Sequence, residues 1–184
     1  MICMKLLVVA VMGAYSLPYS HTVSLAREAE AAFARAGICV DVVRVQKARD
    51  RHPGFSRLNQ RTARWYRWQT APVVRRNRGS NVHFVFPPMV EANGTRWMAG
   101  AANNCKYRDG TSWSSGQLYN DRGEPRRHQS LVAMTHEVAH LAGADHDNSG
   151  CNVMHEGALS CGNISIDFRP PAINEMRRCR EDWM

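Results

Sequence analysis

The sequence has no apolar run approaching the roughly 18 residues of a membrane-spanning helix, so no such span is expected. Its six cysteines contain no C-x-x-C pair, which argues against a cysteine-rich zinc site. Lysine is scarce, three residues against 21 arginines. There is no internal repeat and no low-complexity tract. With 44% hydrophobic and 22% charged residues, intrinsic disorder is excluded as the main description. A length of 184 residues supports one domain with a real core, and we read 1–184 as that domain.

The cysteines that are present (Cys3, Cys39, Cys105, Cys151, Cys161, Cys179) are even in number. That favours an oxidising compartment, hence a secreted or extracellular protein, over a set of buried thiols. The formal net charge is +8, but it is local. Residues 44–78 carry ten arginines and Lys47 against Asp50, a net +10 that leaves −2 for the rest. Interleaved with Trp65, Tyr66 and Trp68, this segment could contact a polyanion or nucleic acid. The plainer reading is a solvated basic face over a tryptophan-anchored helix.

At the N-terminus, Lys5 followed by Leu6–Met12 fits either a secretory signal or a fully buried parallel strand. The residues that follow favour the strand, over 3–12. His21–Gly37 has helical spacing, with Ala26, Ala29, Phe33 and Ala36 on one side and Gly37 as a stop. Ile38–Val45 is again β-rich, which completes a βαβ unit. Further along, a helix is expected over Phe55–Gln69. Strands are expected at Asn81–Phe86, Trp97–Ala102 and Gly116–Asn120. Leu131–Leu141 should be helical, Asp145–Arg169 irregular, and Pro171–Asp182 a closing helix.

The chemistry is concentrated in His136-Glu137-Val138-Ala139-His140-Leu141-Ala142-Gly143-Ala144-Asp145-His146-Asp147. His136 and His140 are four apart, so on a helix both imidazoles leave one face and can meet one metal ion. Glu137 stands beside the first ligand, within reach of water at that metal. Gly143 can adopt the positive φ that turns the chain and returns His146 as a third ligand. Three histidines leave a coordination position open, as catalytic rather than structural zinc sites do. Average residue usage makes the full pattern a chance event on the order of one in 10⁵ chains of this length.

At these residues the sequence resembles the metzincin zinc endopeptidases, whose extended H-E-x-x-H-x-x-G-x-x-H motif is matched throughout. Met154, eight residues after His146, fits the methionine turn of that clan. Asp147 directly after the third histidine is adamalysin-like (reprolysin-like), whereas the spacing to Met154 is matrixin-like. The resemblance implies an α+β fold: a twisted mixed sheet, long helices and a zinc cleft. An upper part (1–143) and a lower part (144–184) would flank that cleft. It implies one catalytic Zn2+ held by His136, His140 and His146, with Glu137 as general base in hydrolysis of protein or peptide substrates. Asp147 would hold the turn rather than bind metal. An extended substrate would pair with an edge strand that includes Gly100, Ala101 and Ala102, and Phe168 would help wall a side-chain pocket. Within this frame the cysteines are expected to pair as Cys105–Cys179, Cys151–Cys161 and Cys3–Cys39, one of 15 possible arrangements. A monomer is expected. The alternatives are a catalytically silent zinc-containing module and a polyanion-binding protein using 44–78.

Overall fold

The structure, a computed structural model, describes residues 2–13, 16–49, 71–87, 89–90, 96–97, 100–102, 105–115, 126–156, 164–182 and 184. The expected helix at Phe55–Gln69 and strand at Gly116–Asn120 lie outside those residues, as does Cys161.

The apolar run near the N-terminus forms strand β1 (Met4–Met12), buried without interruption from Leu6 to Val11. Such a run needs cover on both faces and both edges, and it has neighbours on each side. Strand β2 (Val40–Arg49) and strand β3 (Asn81–Phe86) both pair with it in parallel. A disulfide, Cys3–Cys39, ties the starts of β1 and β2 with a Cα–Cα distance of 4.6 Å. The connection between them is helix α1 (Tyr19–Arg35), which buries Leu25, Ala26, Ala29, Ala32 and Phe33. Its end is set by Gly37, at φ +70°, and the Ile38 amide reaches back to the Phe33 carbonyl at 3.0 Å. That left-handed glycine satisfies helix carbonyls that would otherwise be orphaned.

Two short strands, β4 (Met89–Val90) and β5 (Arg96–Trp97), pair antiparallel by themselves. Strand β6 (Gly100–Ala102) and strand β7 (Thr111–Ser115) complete the main sheet, in the order β2-β1-β3-β7-β6. Four of its strands run parallel, and β6 runs antiparallel to β7 along one border. The expected mixed sheet is therefore largely parallel, and the arrangement is mixed α/β. The segment expected as one strand over Trp97–Ala102 contributes to two separate ladders, β5 and β6.

Helix α2 (Arg127–Leu141) and helix α3 (Pro170–Glu181) follow. Pro170 and Pro171 open α3 in the first turn, where a missing amide hydrogen costs nothing. The larger core joins α1, α2, α3 and one sheet face through residues such as Phe33, Leu25, Val138, Leu141 and Met176. The opposite face is a smaller cluster of Leu7, Val9, Val11, Val82, Phe84 and Phe86. It is covered in part by Val73 and Val74 of a helical segment at 71–76.

Candidate metal centre

Helix α2 carries the first two metal-ligand candidates and is buried along every side chain from Ser130 through Leu141. A helix buried on all sides has no solvent to satisfy polar groups, so each one needs a specific partner. His136 and His140 obtain theirs from backbone. The Nδ1 atom of His136 lies 2.6 Å from the Val153 carbonyl oxygen, and Nδ1 of His140 lies 2.6 Å from the Ala144 carbonyl oxygen. A carbonyl can only accept, so both Nδ1 atoms carry the proton and both Nε2 atoms present a lone pair. Burial lowers the pKa of His136 to about 4, with help from the neighbouring imidazoles, and burial likewise lowers that of His140. Both rings are therefore neutral at neutral pH.

The helix end returns the third ligand candidate. Gly143 sits at φ +101°, its amide bonds the His140 carbonyl at 3.0 Å, and the Ala144 amide bonds the Ala139 carbonyl at 3.0 Å. A Cβ on Gly143 would lie 2.8 Å from Sγ of Cys179 and closer still to its Cβ. Two constraints thus converge on glycine here: a left-handed backbone and the Cys105–Cys179 disulfide packed against it. The same disulfide anchors a loop whose Cys105 and Lys106 amides cap the last carbonyls of α2, His140 and Leu141, at 3.0 and 2.7 Å.

Beyond this turn, Nε2 of His146 lies 3.3 Å from Nε2 of His140, which in turn lies 3.0 Å from Nε2 of His136. Lone pairs on unprotonated nitrogens repel at such distances unless a cation lies among them. Zinc–nitrogen bonds near 2.0–2.1 Å in a tetrahedron place nitrogens about 3.3 Å apart, so the spacing fits that ion. Glu137, next to His136 in the chain, is 7% exposed, its Oε2 has no hydrogen-bond partner, and burial pushes its carboxyl up to about 8. Three imidazoles converging at this spacing form a candidate cation site. Among the described residues, this trio is the group able to hold a metal ion.

In three dimensions the chain is similar to an archaemetzincin from Methanopyrus kandleri, at 21% identity over 97% of this chain and 96% of that one, with a TM-score of 0.64. It is also similar to metalloproteinase-II from Bacteroides fragilis, at 11% identity and a TM-score of 0.62. That second likeness covers 96% of this chain and 53% of the other, so this chain spans about half of it. The fold is zinc-metallopeptidase-like. No protein-family model matches the chain, and no curated protein matches it in sequence.

Met154, which follows the Val153 whose carbonyl meets His136, is 1% exposed in a turn. Asn152, buried, organises that turn. Its Nδ2 donates to the carbonyls of Asp147 and Gly150 at 2.8 and 2.9 Å, and its Oδ1 accepts from the Met154 amide at 2.8 Å. The Asp147 amide donates to the Met154 carbonyl at 2.9 Å, and the Asp147 carboxylate accepts from the amide and hydroxyl of Ser149. Those bonds hold the Asp147 carboxyl below its usual range. The residue's contacts are thus with the turn. Asn152 and the carbonyls of Ala144 and Val153 carry no motif letter beyond the Asn152–His155 run. The backbone partners could not be found from residue types.

Of the groups expected to bind substrate, Gly100, Ala101 and Ala102 all lie in β6, at the border of the sheet. Gly100 is in direct contact with Glu137. Phe168, expected to help wall a side-chain pocket, is 8% exposed and packs on Phe33 of α1, with ring centroids 4.8 Å apart, within the main core cluster. Cys151 is disulfide-bonded, and Cys161, the partner expected for it, lies outside the described residues. Of the Arg-rich segment, residues 50–70 lie outside them too, and Lys47 stacks over the Tyr19 ring at 4.7 Å.

Proposed function

We propose that the protein is a zinc-dependent metalloendopeptidase of metzincin type, combining an adamalysin-like Asp147 with a matrixin-like interval to Met154. The observation that carries this reading is the convergence of three imidazole Nε2 atoms into a group able to hold a metal ion. One Zn2+ held by His136, His140 and His146 would supply polarisation of the scissile carbonyl and acidification of a water toward neutral pKa. Glu137 accepts a proton from the attacking water and passes it to the leaving amine. The Val153 and Ala144 carbonyls fix which nitrogen of each imidazole faces the reacting centre.

The substrate is an extended peptide. Strand β6 borders the sheet and has β7 on one side only among the described residues, so its other edge offers backbone groups for β-pairing. The cleft so formed separates an upper part, 1–143, from a lower part, 144–184. The Cys3–Cys39 and Cys105–Cys179 disulfides are compatible with an extracellular site of action. No described helix is long and apolar enough to cross a membrane.

The test is elemental analysis of the purified protein together with hydrolysis of an unfolded protein substrate. One zinc per chain and chelator-sensitive cleavage are expected. A protein that binds no zinc, or cleaves nothing when loaded, overturns the reading.

A further inference from the structure

Gly100 is a glycine without a backbone reason. Among the described glycines, Gly37, Gly79, Gly143 and Gly150 have positive φ, and Gly100 does not. Any L-residue could adopt its conformation, and strand interiors ordinarily disfavour glycine. The reason is on its open side. A Cβ built there would lie 2.5 Å from both Cγ and Cδ of Glu137 and closer still to Oε1. All three nearest atoms belong to that one side chain. Glu137 therefore occupies the space that a methyl group would fill at the border strand.

We propose that Gly100 is a positioning residue for Glu137: its missing side chain is the slot in which the carboxylate lies flat against β6. This rests on the peptidase reading above and deepens it. The register supports the placement. Gly100 pairs with Ser114 of β7, and Ser114 Oγ is held at 3.0 Å by Nε2 of His83, whose Nδ1 lies 2.7 Å from Oγ of Ser112. His83, Ser112 and Ser114 are all wholly or almost wholly buried, so the floor of the slot is a satisfied polar layer that resists displacement. With the floor fixed, a methyl group on Gly100 must move Glu137. The same strand that would align a substrate backbone thus also sets the carboxylate, which couples the height of the base to the height of the peptide bond.

Gly100→Ala is the test. Zinc content should match wild type, while kcat falls about 10- to 100-fold, the scale of a displacement near 1 Å. A crystal structure of zinc-free Gly100→Ala should show the Glu137 carboxylate turned away from β6. In a Glu137→Asp background, where the side chain is one methylene shorter, Gly100→Ala should cost no further rate. Wild-type kcat in Gly100→Ala, an unmoved Glu137, or fully additive losses would each overturn the proposal. If Gly100→Ala fails to fold, Gly100→Ala/Glu137→Ala should fold, because the methyl group then has nothing to meet; a double variant that also fails overturns the contact. A zinc-loaded wild type with no peptidase activity defeats the functional reading instead, and the crystal structure then decides the contact by itself.

Discussion

The Nδ1 atom of His136 lies 2.6 Å from the carbonyl oxygen of Val153, so helix α2 and the turn at Met154 meet at a metal-ligand candidate. Seventeen residues separate the two groups in the chain. The bond selects the tautomer that leaves Nε2 free for a metal. It also makes the turn part of the site.

Asn152 is predicted to control metal affinity although it touches no ligand. Asn152→Asp keeps the shape but loses both Nδ2 donations, to Asp147 and Gly150. Zinc affinity should fall about 10- to 100-fold, the usual cost of disturbing groups that support a metal ligand. Competition with a calibrated chelator measures it. Unchanged affinity would show that the turn holds its place without that amide.

Gly143→Ala should be far more damaging than a one-carbon change suggests. The new methyl group meets Cys179, and φ +101° is strained for alanine. Stability should fall by about 1–3 kcal/mol from backbone strain alone, and zinc binding should weaken as His146 shifts. Removing the Cys105–Cys179 bond, which closes a separation of 74 residues, should cost roughly 4 kcal/mol on chain-entropy grounds. Denaturant unfolding of Gly143→Ala and of Cys105→Ser/Cys179→Ser checks both values.

Acid stability should report on His83. Burial depresses its pKa from an ordinary 6.5 to about 3, so the folded state keeps the ring neutral while the unfolded chain protonates it below pH 6.5. Its contribution is intact above pH 6.5 and is lost as pH falls toward 3, at up to about 1.4 kcal/mol per pH unit. His83→Gln should be less stable at neutral pH but should lack that part of the acid slope. The comparison is made on zinc-free protein, and equal slopes would contradict it.

The three histidines that converge as a candidate metal group were legible in sequence because the pattern is local: His136 and His140 lie one helical turn apart, and Gly143 marks the turn to His146. The apolar run of β1 and the alternation of β3 were legible for the same reason, and Asn81–Phe86 has the limits expected. Strand β7 was not. Its residues Thr111–Ser115 look like a loop because the buried positions are Ser112 and Ser114. Their partner is His83, 29 and 31 residues away. A polar pair satisfied at long range has no hydrophobic period to betray it. The packing of Phe168 was hidden for a related reason, since its partner Phe33 is distant in the chain. The carbonyls that orient His136 and His140 have no residue type at all. What sequence conveys here is the set of candidate ligands; what holds them in place is backbone and distant side chains.

The most direct test of the account is the rate of peptide hydrolysis by zinc-loaded Glu137→Ala relative to zinc-loaded wild type. The proposed role assigns Glu137 both proton transfers, each worth about 10²- to 10⁴-fold. The variant should retain one zinc and fall by at least about two orders of magnitude in kcat. A fully zinc-loaded Glu137→Ala that hydrolyses peptide as fast as wild type would contradict it.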